Sequence, residues 1–145
     1  MIEWKLAFAK LVGRVRHTAH VILEKDGKYL LVQEAVPGIR GLWGWPGGGV
    51  KRGESPEQAA EREAEEETGF DVELVRSLGE IHDEKRGSVR HIFWGKIKNG
   101  ELRINEFEHM DAGWFSRDEM EKLKLRGSWV LEVLHLPPAA FDKAL

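Results

Sequence analysis

The 145-residue sequence contains no cysteine, and this absence excludes several kinds of site. A disulfide framework, a thiolate zinc site and a thiol nucleophile are all ruled out. Long hydrophobic runs are also missing, so no segment has the length and apolarity of a membrane span. The N-terminal stretch is interrupted by Glu3, Lys5 and Lys10 and lacks the pattern of a secretory signal. We therefore expect a cytoplasmic protein without a membrane partner.

A strong excess of charge of one sign is missing as well, since the net charge is only -3. We expect no stable nucleic-acid partner from a balance of this kind. The length and the 41% hydrophobic content suit one domain with its own core. Residues 1–145 are therefore predicted to form a single domain, as a monomer or a homodimer, with residues 1–13 as a helix or an arm.

Alternating apolar residues and turn signals predict a series of strands. The predicted strands are 14–24, 29–34, 72–80, 89–98, 102–104 and 114–115, with tight turns at 26–27 and 99–100 and loops at 35–49 and 105–113. Helices are predicted after a capping box at Ser116 and Glu119, and over 128–136. Together with the helix described next, this order predicts an α/β fold in which helices cover both faces of a mixed sheet.

The most strongly marked element is a helix from Pro56 to Thr68. Ser55 and Gln58 have the spacing of a capping box, and proline is favoured at the first helical position. Gly69 can adopt the left-handed conformation that ends a helix.

Acidic residues occupy both sides of this helix, and the two sides have different requirements. At about 100° per residue, three glutamates share a side with the alanines and three point the opposite way. The inward set is Glu63, Glu66 and Glu67, and the outward set is Glu57, Glu61 and Glu65. Buried glutamates need partners. Arg62, the only basic residue in the helix, cannot neutralise the inward set together with Glu54, so the pattern predicts a hard cation.

Charged and glycine residues at fixed spacings in and around this helix resemble the Nudix box. The matching residues are Gly48, Glu54, Arg62-Glu63-Ala64, Glu66-Glu67 and Gly69-Phe70, together with the flanking Leu42-Trp43, Pro46-Gly47 and Trp114-Phe115. Ala64 is the one departure, because the family usually has a larger aliphatic residue there. The motif is far more specific than a lone glycine pattern. The chain is therefore identified as a member of the Nudix hydrolase family, similar to MutT.

The resemblance implies an α/β/α sandwich and a reaction. Water would attack phosphorus in a nucleoside diphosphate linked to another moiety, with Mg²⁺ or Mn²⁺ as cofactor. The implied metal ligands are Glu63, Glu66 and Glu67, with the backbone carbonyl of Gly48 or its neighbour Gly47 as a further ligand. Arg62 belongs with the implied catalytic residues, and Glu54 is implied as structural support paired with Arg62.

The general base is open, because within the family it is a box glutamate or a glutamate from a later loop. Glu63 is the first candidate. Glu108, six residues before Trp114, is predicted to contribute to metal binding or catalysis. The alternative is that the acids of the 105–113 loop are simply solvated.

Four further residues are candidates for substrate contact. Trp43 could stack on a base, and Arg40, Arg86 and Arg90 could hold phosphate oxygens, which arginine binds in bidentate fashion. Core packing for Trp43 and ordinary surface charge for each arginine are the alternatives.

The identity of the substrate is not specified by these residues. Resemblance to specialised members favours nucleoside triphosphates or nucleotide sugars, since no proline lies between Pro56 and Pro137 and Tyr29 is the sole tyrosine. A non-catalytic, Nudix-like nucleotide-binding or regulatory module is the alternative function. Such modules typically lack box carboxylates, and here all of them are present.

Overall fold

A computed structural model of the chain describes residues 15–135. The predicted N-terminal arm or helix, and the end of the predicted last helix with the prolines after it, lie outside the described residues. The strands are β1 (Arg16–Lys25), β2 (Lys28–Glu34), β3 (Trp43–Gly44), β4 (Gly47–Gly49), β5 (Phe70–Asp83), β6 (Ser88–Gly100) and β7 (His109–Phe115). The helices are α1 (Pro56–Thr68), α2 (Arg117–Met120) and α3 (Trp129–Glu132), followed by a 3₁₀ turn (Val133–His135).

Local sequence signals account for α1 at both ends. The Ser55 side chain accepts a hydrogen bond from the Gln58 backbone N–H, and the Gln58 side chain accepts one from the Ser55 N–H. Gly69 closes the helix with φ 80°, in the left-handed region. The predicted helix is confirmed, with both predicted caps present.

The sheet is organised around β1, whose two edges make different pairings. Along one edge β1 pairs in parallel with β6, from Arg16 opposite Ser88 to Leu23 opposite Gly95. Along the other edge it pairs with β4 over Thr18–His20 and with β2 only over Glu24–Lys25. Strand β2 then diverges from β1 and pairs with β3 and β7. Because the other pairings are antiparallel, the predicted mixed sheet is confirmed.

Helices cover both faces of the sheet, which confirms the α/β/α sandwich. On one face the small alanines of α1 lie against alternate residues of β1 and its neighbours: Ala59, Ala60 and Ala64 against Ala19, Val21 and Phe93. On the other face, Met120, Trp129, Val130 and Val133 pack with Ile22, Trp45 and Ile92. None of the described helices has the length and apolarity needed to cross a membrane.

Several boundaries differ from prediction because long-range pairing overrides local turn signals. The 35–49 segment contains the two short strands β3 and β4. The predicted turn at 99–100 is wrong, since Asn99 and Gly100 continue β6 opposite Asp71 and Phe70. The predicted strand at 102–104 is also wrong, because that segment runs past α1 with the Arg103 N–H donating to the Thr68 carbonyl.

The largest difference is at β7. This strand begins at His109, inside the predicted 105–113 loop, because it pairs with β2 all the way from Phe115 back to His109. The helix predicted over 128–136 is shorter, with four α-helical residues before the 3₁₀ turn.

Candidate active site

A cavity of about 440 Å³ opens where β1, β4, β6, α1 and the start of β7 meet. This volume falls within the range of small-molecule sites. The residues around it include Arg16, Thr18, His20, Glu34, Gly47, Gly48, Glu63, Glu67, Arg86, Arg90, Glu108, His109 and Arg126.

The charged residues of this cavity form two groups. One is acidic, with Glu34, Glu63, Glu67 and Glu108, and the other is basic, with Arg16, Arg86, Arg90 and Arg126. The groups meet where Arg126 Nη1 lies 3.2 Å from Glu34 Oε1. The cavity therefore offers carboxylates for a cation and guanidinium groups for an anion side by side.

Glu67 is the most deeply placed carboxylate of α1. Its side chain is 6% exposed, and Oε1 accepts a hydrogen bond of 2.7 Å from the Gly47 N–H. Burial raises the pKa of Glu67 well above its usual value. A cation beside the carboxylate would favour its ionised form.

Glu63 lies one turn earlier, against the glycine strand β4. Burial raises the pKa of Glu63 as well, although hydrogen bonds from Arg62 act in the opposite direction. A Cβ on Gly48 would come within 2.6–2.7 Å of the Glu63 carboxyl atoms. Glycine at this position therefore lets the backbone of β4 lie directly beside the carboxylate.

Arg62 uses all five of its N–H donors. Nε and Nη2 bind the Glu54 carboxylate at 2.8 and 3.0 Å, and Nη2 also donates to the Gly49 carbonyl at 2.9 Å. Nη1 donates to Glu63 at 2.8 Å and to Glu66 at 3.2 Å. The predicted Glu54–Arg62 pair is thus present, and its hydrogen bonds lower the pKa of Glu54 to about 2.

Glu66 does not share the buried side of α1, which corrects the prediction that it faces inward. Its side chain is 49% exposed, at the edge of the helix beside Arg62. The side of α1 that packs against the rest of the protein therefore includes Glu63 and Glu67 but not Glu66. Glu61 and Glu65 are exposed, as predicted, and Glu57 is partly covered.

Two buried residues were missed from the sequence: Glu34 of the acidic group, and His109 beside it. They end β2 and begin β7, and His109 Nε2 lies 3.5 Å from Glu34 Oε2 and 3.3 Å from Glu67 Oε2. Alternation through 109–115 was a signal for a longer β7, but nothing local marked Glu34.

The acidic group together with His109 has the composition of a divalent-metal site. In the described part of the chain, Glu67, Glu108 and His109 each offer a ligand atom within 4.8 Å of the other two. Glu63 belongs to the same group, since its charge adds to the effect of burial in raising the pKa of Glu67, and the charge of Glu108 acts in the same direction on the pKa of both. Carboxylate oxygens gathered in this way fit Mg²⁺ or Mn²⁺.

His20 is a further residue of the cavity that the sequence did not indicate. Burial, followed by the charges of Arg126 and Arg90, lowers the pKa of His20 to about 3. Its Nε2 lies 3.0 Å from Thr18 Oγ1, and its ring contacts Trp129 edge-on. The imidazole is therefore neutral at physiological pH.

The substrate-contact candidates divide into two pairs. Arg86 and Arg90 border the cavity, and the Arg90 guanidinium lies 4.6 Å from the Trp129 ring centroid. Arg40 is exposed and donates to the Ala35 carbonyl at 3.1 Å. Trp43 is 9% exposed and packs edge-on against Phe115 in the core. The positions of Arg40 and Trp43 fit the alternatives of surface charge and core packing.

Comparison with known proteins identifies relatives of this arrangement. A family model described as the NUDIX domain matches residues 13–135. An ADP-ribose pyrophosphatase of Methanocaldococcus jannaschii is 35% identical over 70% of this chain and 62% of its own length. An 8-oxo-dGDP phosphatase of Mus musculus is 32% identical over 80% of this chain and 36% of its own length.

Solved structures show the same architecture. A NUDIX hydrolase from Nitrosomonas europaea superposes with a TM-score of 0.79 at 28% identity, covering 90% of this chain and 93% of that one. The chain spans between about a third and two thirds of the length of the first curated relatives it matches.

Proposed function

The chain belongs to the Nudix family of hydrolases, and we propose that it cleaves a nucleoside diphosphate linked to another moiety in a reaction that depends on a divalent metal. The observation that supports this proposal is the cavity in which buried carboxylates of α1 lie beside several arginines. A pyrophosphate linkage is anionic, so its oxygens can be bound both by a divalent cation held on the carboxylates and by the arginines directly.

The proposed metal-binding residues are Glu63, Glu66 and Glu67 with the Gly48 carbonyl, and Glu108 as a further contributor. A divalent ion bound there would neutralise charge on the phosphate oxygens and lower the pKa of a water molecule. Glu67 fits this role because burial disfavours its ionised form, which a bound cation would stabilise. Glu66, at the exposed edge, would bind from the solvent side.

Arg62 and Glu54 are proposed to position these ligands. Arg62 joins the β4 backbone, through the Gly49 carbonyl, to the carboxylate of Glu63. Glu54 holds the guanidinium from the opposite side through two hydrogen bonds. The pair therefore fixes the distance between the glycine strand and α1.

Glu63 is the proposed general base, and Glu108 is the alternative. The raised pKa of Glu63 makes its carboxylate a better proton acceptor than an ordinary glutamate. Glu108 comes from the segment before β7 and reaches the same cavity.

Arg86 and Arg90 are proposed to hold phosphate oxygens of the substrate, with Arg16 and Arg126 nearby. Nucleoside triphosphates and nucleotide sugars are the favoured substrates. The relatives described above differ in the substrates their names give, so the panel that tests this proposal has to be broad.

The test is a panel of nucleoside triphosphates, oxidised purine nucleotides, nucleotide sugars and ADP-ribose, assayed with Mg²⁺ and with Mn²⁺. We expect hydrolysis of at least one nucleotide, with metal-dependent turnover reduced at least about a hundredfold in Glu67→Gln. Glu65→Gln is the matched control, because Glu65 is exposed on the same helix. Reaction in ¹⁸O water would identify the phosphorus that is attacked.

Two outcomes would contradict the proposal. One is nucleotide binding without turnover under either metal, which would support a non-catalytic binding module instead. The other is full activity in Glu67→Gln, which would remove the buried carboxylate from the mechanism.

A further inference from the structure

We propose that the imidazole of His109 is a metal ligand in this cavity. One cation would then be bound by a nitrogen ligand as well as by oxygen ligands. The proposed ligands are His109 Nε2 and the carboxylates of Glu67, Glu108 and Glu34. This inference rests on the proposed function, because the position adjoins the metal-binding glutamates of α1. It goes beyond that function by naming the ligand chemistry and hence the preferred ion.

The first observation is that His109 is buried with neither ring nitrogen hydrogen-bonded. The residue is 2% exposed, and Nδ1 and Nε2 both lack a hydrogen-bond partner. A buried polar atom without a partner is costly and uncommon. A cation bound at Nε2 would satisfy that nitrogen.

The second observation is the arrangement of oxygen atoms around Nε2. Glu67 Oε2 lies 3.3 Å from Nε2 and Glu34 Oε2 lies 3.5 Å from it. Glu67, Glu108 and His109 each also offer one ligand atom within 4.8 Å of the other two. Metal–ligand bonds of about 2.1 Å place neighbouring ligand atoms about 3.0–3.4 Å apart. The 3.3 Å between His109 Nε2 and Glu67 Oε2 falls in this range, and the 3.5 Å between His109 Nε2 and Glu34 Oε2 lies just above it.

An imidazolium that simply bridges two carboxylates is the alternative explanation of these contacts. Such a bridge should form directed N–H···O hydrogen bonds. Neither contact does so, since Nε2 has no hydrogen bond despite its closeness to both oxygens. The two carboxylate oxygens therefore lie close to Nε2 without satisfying it, and a shared cation would satisfy all three atoms.

The elements hold this arrangement in place before any ion binds. The β2–β7 register is irregular between Gln33 and Glu34, and this irregularity sets Glu34 opposite His109. Arg126 holds the other Glu34 oxygen, and the Gly47 N–H holds the other Glu67 oxygen. Each carboxylate therefore keeps one oxygen directed at the imidazole.

A nitrogen ligand changes which ions the position prefers. Mg²⁺ takes oxygen ligands, whereas imidazole suits Co²⁺, Ni²⁺ and Zn²⁺. We therefore expect Co²⁺ to bind this chain more tightly than Mg²⁺ by a margin that depends on His109.

The direct test is pulsed EPR of Mn²⁺ bound to the whole protein with ¹⁵N-labelled histidine. We expect a ¹⁵N coupling to the manganese in the unmodified chain and its loss in His109→Gln. Lack of the coupling in the unmodified chain overturns the proposal, and this reading needs no variant to fold. Persistence of the coupling in His109→Gln also overturns it, since His20 borders the same cavity and would then be the source.

The second test compares Co²⁺ and Mg²⁺ affinities by calorimetry, with the exposed His82 changed to Gln as the matched control. We expect His109→Gln to weaken Co²⁺ at least about tenfold and Mg²⁺ no more than about threefold, with no change in His82→Gln. An equal loss for both ions, or no loss, contradicts nitrogen ligation. Hydrolysis of the nucleotide panel is scored separately, so failure of this inference and failure of the proposed function are distinguishable.

Discussion

At the scale of single residues, Glu67 shows how burial changes the protonation of a carboxylate in the cavity. Its carboxylate has the Gly47 N–H as a hydrogen-bond donor, but burial still raises its pKa above the ordinary value of 4.5. In the metal-free protein the native state therefore keeps a proton at Glu67 that the unfolded chain has already lost. Native proton uptake of this kind makes folding stability fall as pH rises.

In the presence of a chelator, Glu67→Gln should change how the stability of the protein depends on pH. Stability of the unmodified protein should decline from pH 4.5 up to the raised pKa of Glu67, because the native state binds the extra proton there. The variant has no such group, so it should be the more stable of the two at neutral pH and lose that advantage towards pH 4.5. Thermal unfolding across this range measures the difference.

The difference between the two proteins isolates Glu67 from other titrating groups. His20 acts in the opposite direction, since its lowered pKa makes stability fall as pH drops below 6.5, but it is present in both. Glu65→Gln serves again as the control. Identical pH profiles for Glu67→Gln and the unmodified protein would contradict a raised pKa.

At the scale of elements, α1 depends on the guanidinium of Arg62 to connect it with β4. The five donors reach two segments outside the helix, at Gly49 and Glu54, as well as two glutamates inside it. Lysine has three donors at one nitrogen and cannot match this fork.

Arg62→Lys is therefore predicted to lower both stability and turnover more than an arginine-to-lysine change at an exposed position. We expect a loss of about 1–3 kcal/mol in the free energy of unfolding, and a fall of about tenfold or more in turnover as Glu63 loses its restraint. Chemical denaturation and steady-state kinetics measure the two effects. Arg52→Lys, at an exposed loop position, should change neither. Full activity in Arg62→Lys would show that Glu63 is positioned by other groups.

Elements marked by their own sequence were the ones that could be predicted. Capping residues determine α1 and α2, and the 26–27 turn has the positive φ angles, 52° and 77°, that its Asp-Gly sequence favours. Asn99-Gly100 has a similar turn signal, yet it continues β6 because Phe70 and Asp71 pair with it from far along the chain. Such pairing is invisible in a local window.

At the scale of the whole molecule, the cavity is a product of chain topology. Its residues come from β1, β2, β4, α1, β6, the start of β7 and the segment before α3. The box glutamates could be predicted because one helix presents them together. Glu34, His109 and Arg126 could not, because their proximity depends on the antiparallel pairing of β2 with β7 and on a late loop.

The basic group of the cavity gives a prediction for substrate affinity. Arg86 is 75% exposed, so its removal should leave the fold intact while weakening contact with substrate phosphates. We expect Arg86→Gln to raise KM about threefold to tenfold with little change in kcat, and added salt to reduce the difference. Arg103→Gln, exposed and outside the cavity lining, is the control. An unchanged KM in Arg86→Gln would place the phosphates elsewhere.

Strand β1 contributes both to the cavity and to the core, and this limits which parts of the cavity can move. Thr18 and His20 form part of the cavity, while the alternating Ala19 and Val21 are core residues, and β6 and β4 pair with the strand on either side. Backbone amides in such a position exchange with deuterium only when the whole sheet opens. The floor of the cavity should therefore open only with global unfolding, and we expect any movement that admits a substrate to occur at the rim near Val36, an exposed residue that borders the cavity.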